Sequence, residues 1–218
     1  MIIVTGKGHS GTSMIAGLLK ANGVFMGEPL NETLDYLGDD GRNGAALNGY
    51  CKACRAYGRG VKWDGRRWIF HNEPIPDEHA EAVKKYTLPI IEASVNTNRP
   101  VGYKLPESTL MLPWLVQMYP DATFIHISRN YADNTRISHA TDNINLYGVD
   151  GPHIPLASWV YHQEIVVHMR KPVRWMHIDY DAAVDMPLTT ELQIGHHIMS
   201  EGGKIEQGKF EIKRRAHR

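Results

Sequence analysis

Apolar and polar positions along the chain change period several times, and each change marks an element. A short run, Ile2-Ile3-Val4, gives way to the glycine-rich stretch Gly6-Lys7-Gly8-His9-Ser10-Gly11-Thr12-Ser13. Behind it, Met14, Ile15, Leu18 and Leu19 recur at helical spacing. That order predicts a strand, a loop and a helix from 12 to about 22 that stops at Gly23 and packs one apolar face on a sheet. Further on, Asp77 is a good N-cap for a helix with Ala80, Val83, Tyr86 and Ile90 on one side, and Pro89 is expected to kink or divide it. A strand is expected at 101–104, then an amphipathic helix through Leu110, Met111, Trp114, Leu115 and Met118 that restarts at Pro113. A clearer strand at 123–128 ends on Arg129-Asn130 and leads into a helix at 131–139. Leu156, Trp159, Val160, Gln163 and Val167 describe another helix, followed by a strand at 173–178 and a last helix at 188–199.

Alternating strands and helices imply an α/β fold whose mostly parallel sheet is covered on both faces. With 218 residues, a single domain spanning 1–218 is the expectation. Two stretches break the alternation. Residues 27–65 are polar and glycine-rich (Asp39, Asp40, Gly41, Arg42, Asn43 and Gly44 among them) and look like loop. An irregular segment of that length is either a substrate loop or lid, taken as 27–75, or a variable excursion. A second loop is expected at 143–155.

Charge adds little to this picture. Lys plus Arg and Asp plus Glu number 24 each, so bulk charge favours neither nucleic acid nor a membrane surface. Only the end is uneven, where Lys209, Lys213, Arg214, Arg215 and Arg218 form a basic tail within 200–218. No basic segment precedes an apolar core at the start, and no apolar run has transmembrane length. Cys51 and Cys54 form C-x-x-C without a second pair, a poor zinc pattern, and read as reduced thiols. The 12 histidines make no metal pattern. No metal is expected, and the expected location is the cytoplasm.

The chemistry gathers at strand ends. A glycine-rich loop at a helix N-terminus turns backbone N–H groups toward one point and binds anions. Gly6 to Gly11 fits G-x-x-x-x-G-K-[ST], but Thr12 stands where that pattern has its lysine, so the usual NTP-hydrolysing signature is missing. Ligands in open α/β sheets sit at the carboxyl ends of strands. Two further strand ends carry cations, Lys104 and Arg129.

These residues resemble the sulfotransferases that use 3'-phosphoadenosine 5'-phosphosulfate (PAPS), especially their bacterial and phage-type members. The similarity lies in His9-Ser10-Gly11-Thr12-Ser13 with Met14-Ile15-Ala16-Gly17-Leu18-Leu19, in Gly102-Tyr103-Lys104-Leu105-Pro106, in Phe124-Ile125-His126-Ile127-Ser128-Arg129-Asn130 and in His177-Ile178-Asp179-Tyr180-Asp181. It implies a P-loop-like sulfotransferase fold, PAPS as co-substrate with PAP as product, and no metal. Lys7, Gly8, His9, Ser10, Gly11, Thr12 and Ser13 would cradle the 5'-phosphosulfate. Arg129 would grip the 3'-phosphate, with Ser138 and the tail's Arg214 as further partners.

The chain departs from the family pattern in places. His9 stands where many members carry Lys or Arg, and either His9 or Lys7 could face the bridging oxygen. The family serine falls at Ile137, one residue before Ser138. Lys104 matches the strand lysine that stabilises the leaving group. The histidine that serves some relatives as base is replaced by Pro106, whereas Glu28, after Gly27, matches the glutamate of other branches. Glu32 and Glu107 are fallbacks. The resemblance implies as acceptor a hydroxyl or amine of a carbohydrate or other small molecule, and Tyr36, Tyr50, Tyr57, Trp63 and Trp68 in the insert would offer surfaces for stacking. Two other functions fit the same loop: a P-loop kinase of a nucleoside or small molecule, with Asp179 or Asp181 holding Mg²⁺, and a non-catalytic nucleotide-binding module.

Overall fold

A computed structural model of the chain describes residues 1–38, 44–58, 60–70, 73–97, 99–142 and 151–200. It opens with β1 (Ile2–Thr5) and α1 (Thr12–Ala21), where the first apolar run and the periodic segment place them. The polar stretch behind them is not all loop. It contains α2 (Ala45–Tyr57) and an antiparallel hairpin of β2 (Val61–Trp63) and β3 (Trp68–Phe70). α2 is hard to read because its buried stripe, Ala46, Tyr50, Ala53 and Cys54, contains no aliphatic residue larger than alanine. The α3 helix (Asp77–Thr97) passes through Pro89 without a break, so the expected division does not occur.

Then come β4 (Gly102–Lys104), a 3₁₀ turn at Pro106–Met111 and α4 (Leu112–Met118), with Pro113 in its first turn. β5 (Thr123–Ser128) has the expected bounds, but α5 (Tyr131–Asn134) is one turn long rather than reaching 139. α6 (Ile154–His168) leads to β6 (Trp175–Asp179), which starts later than expected because Val173 is 99% exposed. α7 (Tyr180–Asp185) and α8 (Pro187–Ser200) end the described part.

The sheet is parallel throughout, in the order β4-β1-β5-β6. Alternation along β1 and β5 divides the core into two layers. Ile2, Val4, Ile125, Ile127 and Ile178 pack against Ile15 and Leu19 of α1. Ile3, Tyr103 and Phe124 face the opposite layer, which contains Tyr50, Tyr86, Leu110, Leu115 and Ile165. Each such aliphatic side chain contributes roughly 1.5–3 kcal/mol by leaving water. The sandwiched sheet is the rigid base from which the strand-end loops project. No helix among the described residues is long and apolar enough to cross a membrane.

Candidate active site

Register brings the suggestive strand ends to one edge. Val4 pairs with both Lys104 and Ile125, and Ser128 pairs with Asp179. The loop between β1 and α1 therefore opens beside Lys104 on one side and Arg129 on the other. Its base is fixed by Gly6 N–H donating to Thr109 Oγ1 at 2.9 Å and Ser10 N–H to the Lys7 carbonyl at 3.1 Å. Gly11 caps α1 at φ 97°, and a Cβ there would lie 2.3 Å from the Tyr180 ring. The next amides, of Gly11, Thr12 and Ser13, and those of Gly8 and His9 before them, meet no acceptor among the described residues. They form the positive end of a ten-residue helix. His9 is exposed and held at φ 67°, a left-handed conformation that costs a side-chain-bearing residue roughly 1–2 kcal/mol.

Arg129 lies across this opening. It is 9% exposed, its guanidinium stands 4.5 Å from the centre of the Tyr180 ring, and Nη1 donates to the His9 carbonyl at 3.4 Å. Asp133 is 3.7 Å from Nη2. One turn further, Asn134 is fully buried and donates through Nδ2 to the Gly8 carbonyl and the Ser10 hydroxyl, at 3.0 and 2.9 Å. Asn134 escaped the sequence reading, although its place in the first turn after Arg129 put it within reach of the loop. Ser138, by contrast, is exposed. Arg214 lies outside the described residues.

Lys104 closes the other side. It is 1% exposed, with Nζ 3.4 Å from Ser13 Oγ and ion-paired to Asp35. Burial lowers its pKa, while Asp35 and Glu107 act in the opposite direction. Glu107, on the 3₁₀ turn, is buried, which raises its carboxyl pKa, and Arg55 of α2 reaches it at 3.4 Å. Glu28 and Glu32 are both exposed. Phe25 bridges Val101 in parallel, and three residues beyond that bridge stand Glu28 and Lys104 respectively.

Lys7 is placed differently from the expectation that it faces the anion. Its ammonium is buried and ion-paired to Asp142 at 2.9 Å, and burial lowers its pKa. Burial pushes the Asp142 carboxyl up, but Lys7, the His139 amide and the Ser158 hydroxyl together hold it below the ordinary range. Lys7 thus ties the floor of the loop to the segment before α6. His139 packs directly on Gly8 and edge-on to the His9 ring.

The aromatic insert also divides. Tyr36 and Tyr50 are core, in a cluster with Tyr86 and Tyr103, and the Tyr50 hydroxyl is 3.0 Å from that of Tyr103 and 2.8 Å from Ser108. They offer an acceptor no stacking face. Tyr57 packs edge-on to Trp114, and Trp63 pairs with Trp68 across the hairpin. Residues 39–43, also in the insert, lie outside the described residues. Cys54 is buried, and burial pushes the thiol of Cys51 up to about 12. No group of three metal-ligating side chains occurs among the described residues.

Residues 2–198 match the sulfotransferase family. The chain belongs to that family. The fold agrees: a sulfotransferase of Mycobacterium tuberculosis is 14% identical with a TM-score of 0.51, covering 95% of this chain and 68% of its own. The sulfotransferase domain of a Synechococcus olefin synthase (14%, TM-score 0.53) covers 96% of this chain and 75% of its own. That of the curacin biosynthetic pathway (13%, TM-score 0.54) covers 96% and 76%. No curated protein matches the chain significantly. Membership makes this an enzyme of the sulfotransferase family with an α/β sulfotransferase fold.

Proposed function

We propose that this sulfotransferase moves a sulfuryl group from PAPS to a hydroxyl or amine of a carbohydrate or other small acceptor. One observation carries the choice of donor: loop amides with no acceptor among the described residues stand between Lys104 and Arg129, with Thr12 in place of the phosphate-loop lysine. The residues fit such a nucleotide. The amides of Gly8, His9, Gly11, Thr12 and Ser13 and the hydroxyls of Ser10, Thr12 and Ser13 suit the 5' end, and the Arg129 fork suits a 3'-phosphate better than an ammonium would. His9, exposed at the lip, is the remaining side chain for the bridging oxygen, since Lys7 is engaged by Asp142.

When bound, PAPS supplies an activated sulfuryl group whose transfer needs positioning and charge stabilisation. The chain's own part is electrostatic preorganisation. Loop amides and Lys104 stabilise negative charge on the leaving side, and Glu28 takes the acceptor's proton from the opposite side. The insert at 27–75 forms the acceptor side. Cys51 and Cys54 are free thiols, which suits the reducing cytoplasm.

The kinase reading has less support. Asp179 caps α7 by accepting from Ala182 N–H at 2.9 Å, and Asp181 accepts from Asn130 Nδ2 at 2.7 Å. Both acids offered for Mg²⁺ already have partners. Calorimetry with PAP, ATP and ATP–Mg²⁺ separates the readings: PAP is expected to bind, and Thr12-dependent binding of ATP–Mg²⁺ without PAP would end the sulfotransferase assignment. Labelled-sulfate transfer to a panel of glycans, lipids and phenols then tests turnover. PAP binding with no turnover across that panel favours the non-catalytic module.

A further inference from the structure

Lys104 takes its counter-charge from outside the sheet. Asp35, whose Oδ1 meets the Lys104 ammonium, comes from the turn between α1 and α2. That turn is built around its carboxylate. Asp35 Oδ2 accepts from Asn31 Nδ2 at 2.8 Å and from Thr33 Oγ1 at 2.6 Å. Asn31 Oδ1 in turn accepts from the amides of Thr33 and Asp35, at 2.9 and 2.8 Å. Leu34, just before Asp35, sits at φ 63°, a strained conformation for a leucine. A carboxylate with both oxygens occupied is a well-anchored electrostatic partner.

We propose that Asp35 is a positioning residue for sulfuryl transfer: anchored by Asn31 and Thr33, it fixes where the Lys104 ammonium stands and keeps it cationic at the mouth of the anion loop. The proposal rests on the sulfotransferase reading only for what Lys104 does when the donor is bound. Among the described residues, two acids act on Lys104, Asp35 from the turn and Glu107 from the 3₁₀ turn behind β4. Glu107 is already matched by Arg55, which leaves Asp35 as the dedicated partner. Lys104, Glu107, Cys51 of α2, Tyr86 of α3 and His139 face Asp35 in turn. Among them His139 is neutral at ordinary pH, its pKa lowered to about 4 by burial and by His9 and Lys7. Without Asp35, Glu107 is the acid left among the described residues to oppose desolvation of the ammonium.

The test compares wild type, Asp35→Asn and Asp35→Glu. NMR of ¹³C-labelled lysine, assigned with Lys104→Arg, follows the Lys104 proton without any nucleotide. In Asp35→Asn it should leave about one to three pH units below wild type, and the alkaline limb of labelled-sulfate transfer should move down by a similar interval. Asp35→Glu, which keeps the charge but displaces the ammonium, should restore the titration and still lower kcat about tenfold or more, with a smaller change in KM. An unmoved Lys104 titration in Asp35→Asn overturns the proposal whatever the donor. So does wild-type kcat in Asp35→Glu, the variant that decides if Asp35→Asn does not fold. A shifted titration in a protein that binds no PAP upholds Asp35 as partner of Lys104 and overturns the donor reading instead.

Discussion

Asn134 and Ser10 are joined side chain to side chain at 2.9 Å, with both residues buried. The same Asn134 amide donates to the Gly8 carbonyl, so two hydrogen bonds tie the turn after Arg129 to the loop after β1. Asn134→Ala removes the donor and leaves two buried acceptors without it, a loss of about 1–3 kcal/mol. Thermal unfolding should report that loss, and calorimetry should show PAP binding weakened as well. Asn134→Asp should weaken PAP further, because it sets an anion beneath the anion site. Unchanged PAP affinity in both variants would separate Asn134 from the site.

Gly8 has no room for a side chain. A Cβ there would lie 2.1 Å from the His139 ring. Gly8→Ala should therefore displace the loop and abolish measurable PAP binding. The nearest contacts are all with the His139 ring, so Gly8→Ala combined with His139→Ala should recover part of the affinity. A double variant no better than the single would mean that backbone conformation, and not the imidazole, demands the glycine.

Arg129 is expected to contact the 3'-phosphate and nothing else of the nucleotide. Arg129→Ala should weaken PAP by about 1.5–3 kcal/mol. A nucleotide lacking the 3'-phosphate, adenosine 5'-phosphosulfate, should bind wild type and variant alike. Arg129→Lys should recover little, since an ammonium cannot reproduce the planar fork or its seat over Tyr180. Equal losses for both nucleotides would make Arg129 a support of the loop through the His9 carbonyl.

The parts of this site legible in the sequence were those that local pattern encodes. A glycine-rich loop between an apolar run and a periodic segment specifies strand, turn and helix, and β5 with its terminal Arg129 followed from apolar residues alone. What escaped depends on tertiary placement. Lys7 looks like an anion ligand until Asp142, far along the chain, is found 2.9 Å from it. Asp35 sits in a polar stretch with no periodicity, and only the fold brings it to Lys104. Tyr50 looked like an acceptor platform because α2 hides its stripe among polar residues.

Glu28 is the expected general base. Glu28→Gln should leave PAP affinity unchanged and slow labelled-sulfate transfer by about 10²–10⁴-fold. Transfer at the wild-type rate would remove Glu28 from the chemistry and turn attention to Glu107, the buried carboxyl beside Lys104.

Three histidines in the fold make stability sensitive to acid. Burial lowers the pKa of His126 to about 3, and burial opposed by the Ser158 carbonyl lowers that of His162 to about 4; His139 also falls to about 4. In the unfolded chain each titrates near 6.5. Between about pH 4 and 6.5 the unfolded state therefore binds more protons than the folded one, and stability rises with pH across that window. It is fully present above about 6.5 and is lost as pH falls toward the folded values. Near pH 5 the folded imidazoles are mostly neutral and the unfolded ones mostly charged, so the slope there approaches about 4 kcal/mol per pH unit and flattens toward both ends of the window. Denaturant unfolding at half-unit steps from pH 4 to 8 measures it. His126→Phe keeps a ring against Trp175, which now stacks on the imidazole at 5.8 Å, and gives up the Thr5 contact at 3.1 Å. Its stability at pH 7 should fall modestly while its slope drops by about one proton. A slope equal to wild type would mean that His126 takes up its proton without unfolding the chain.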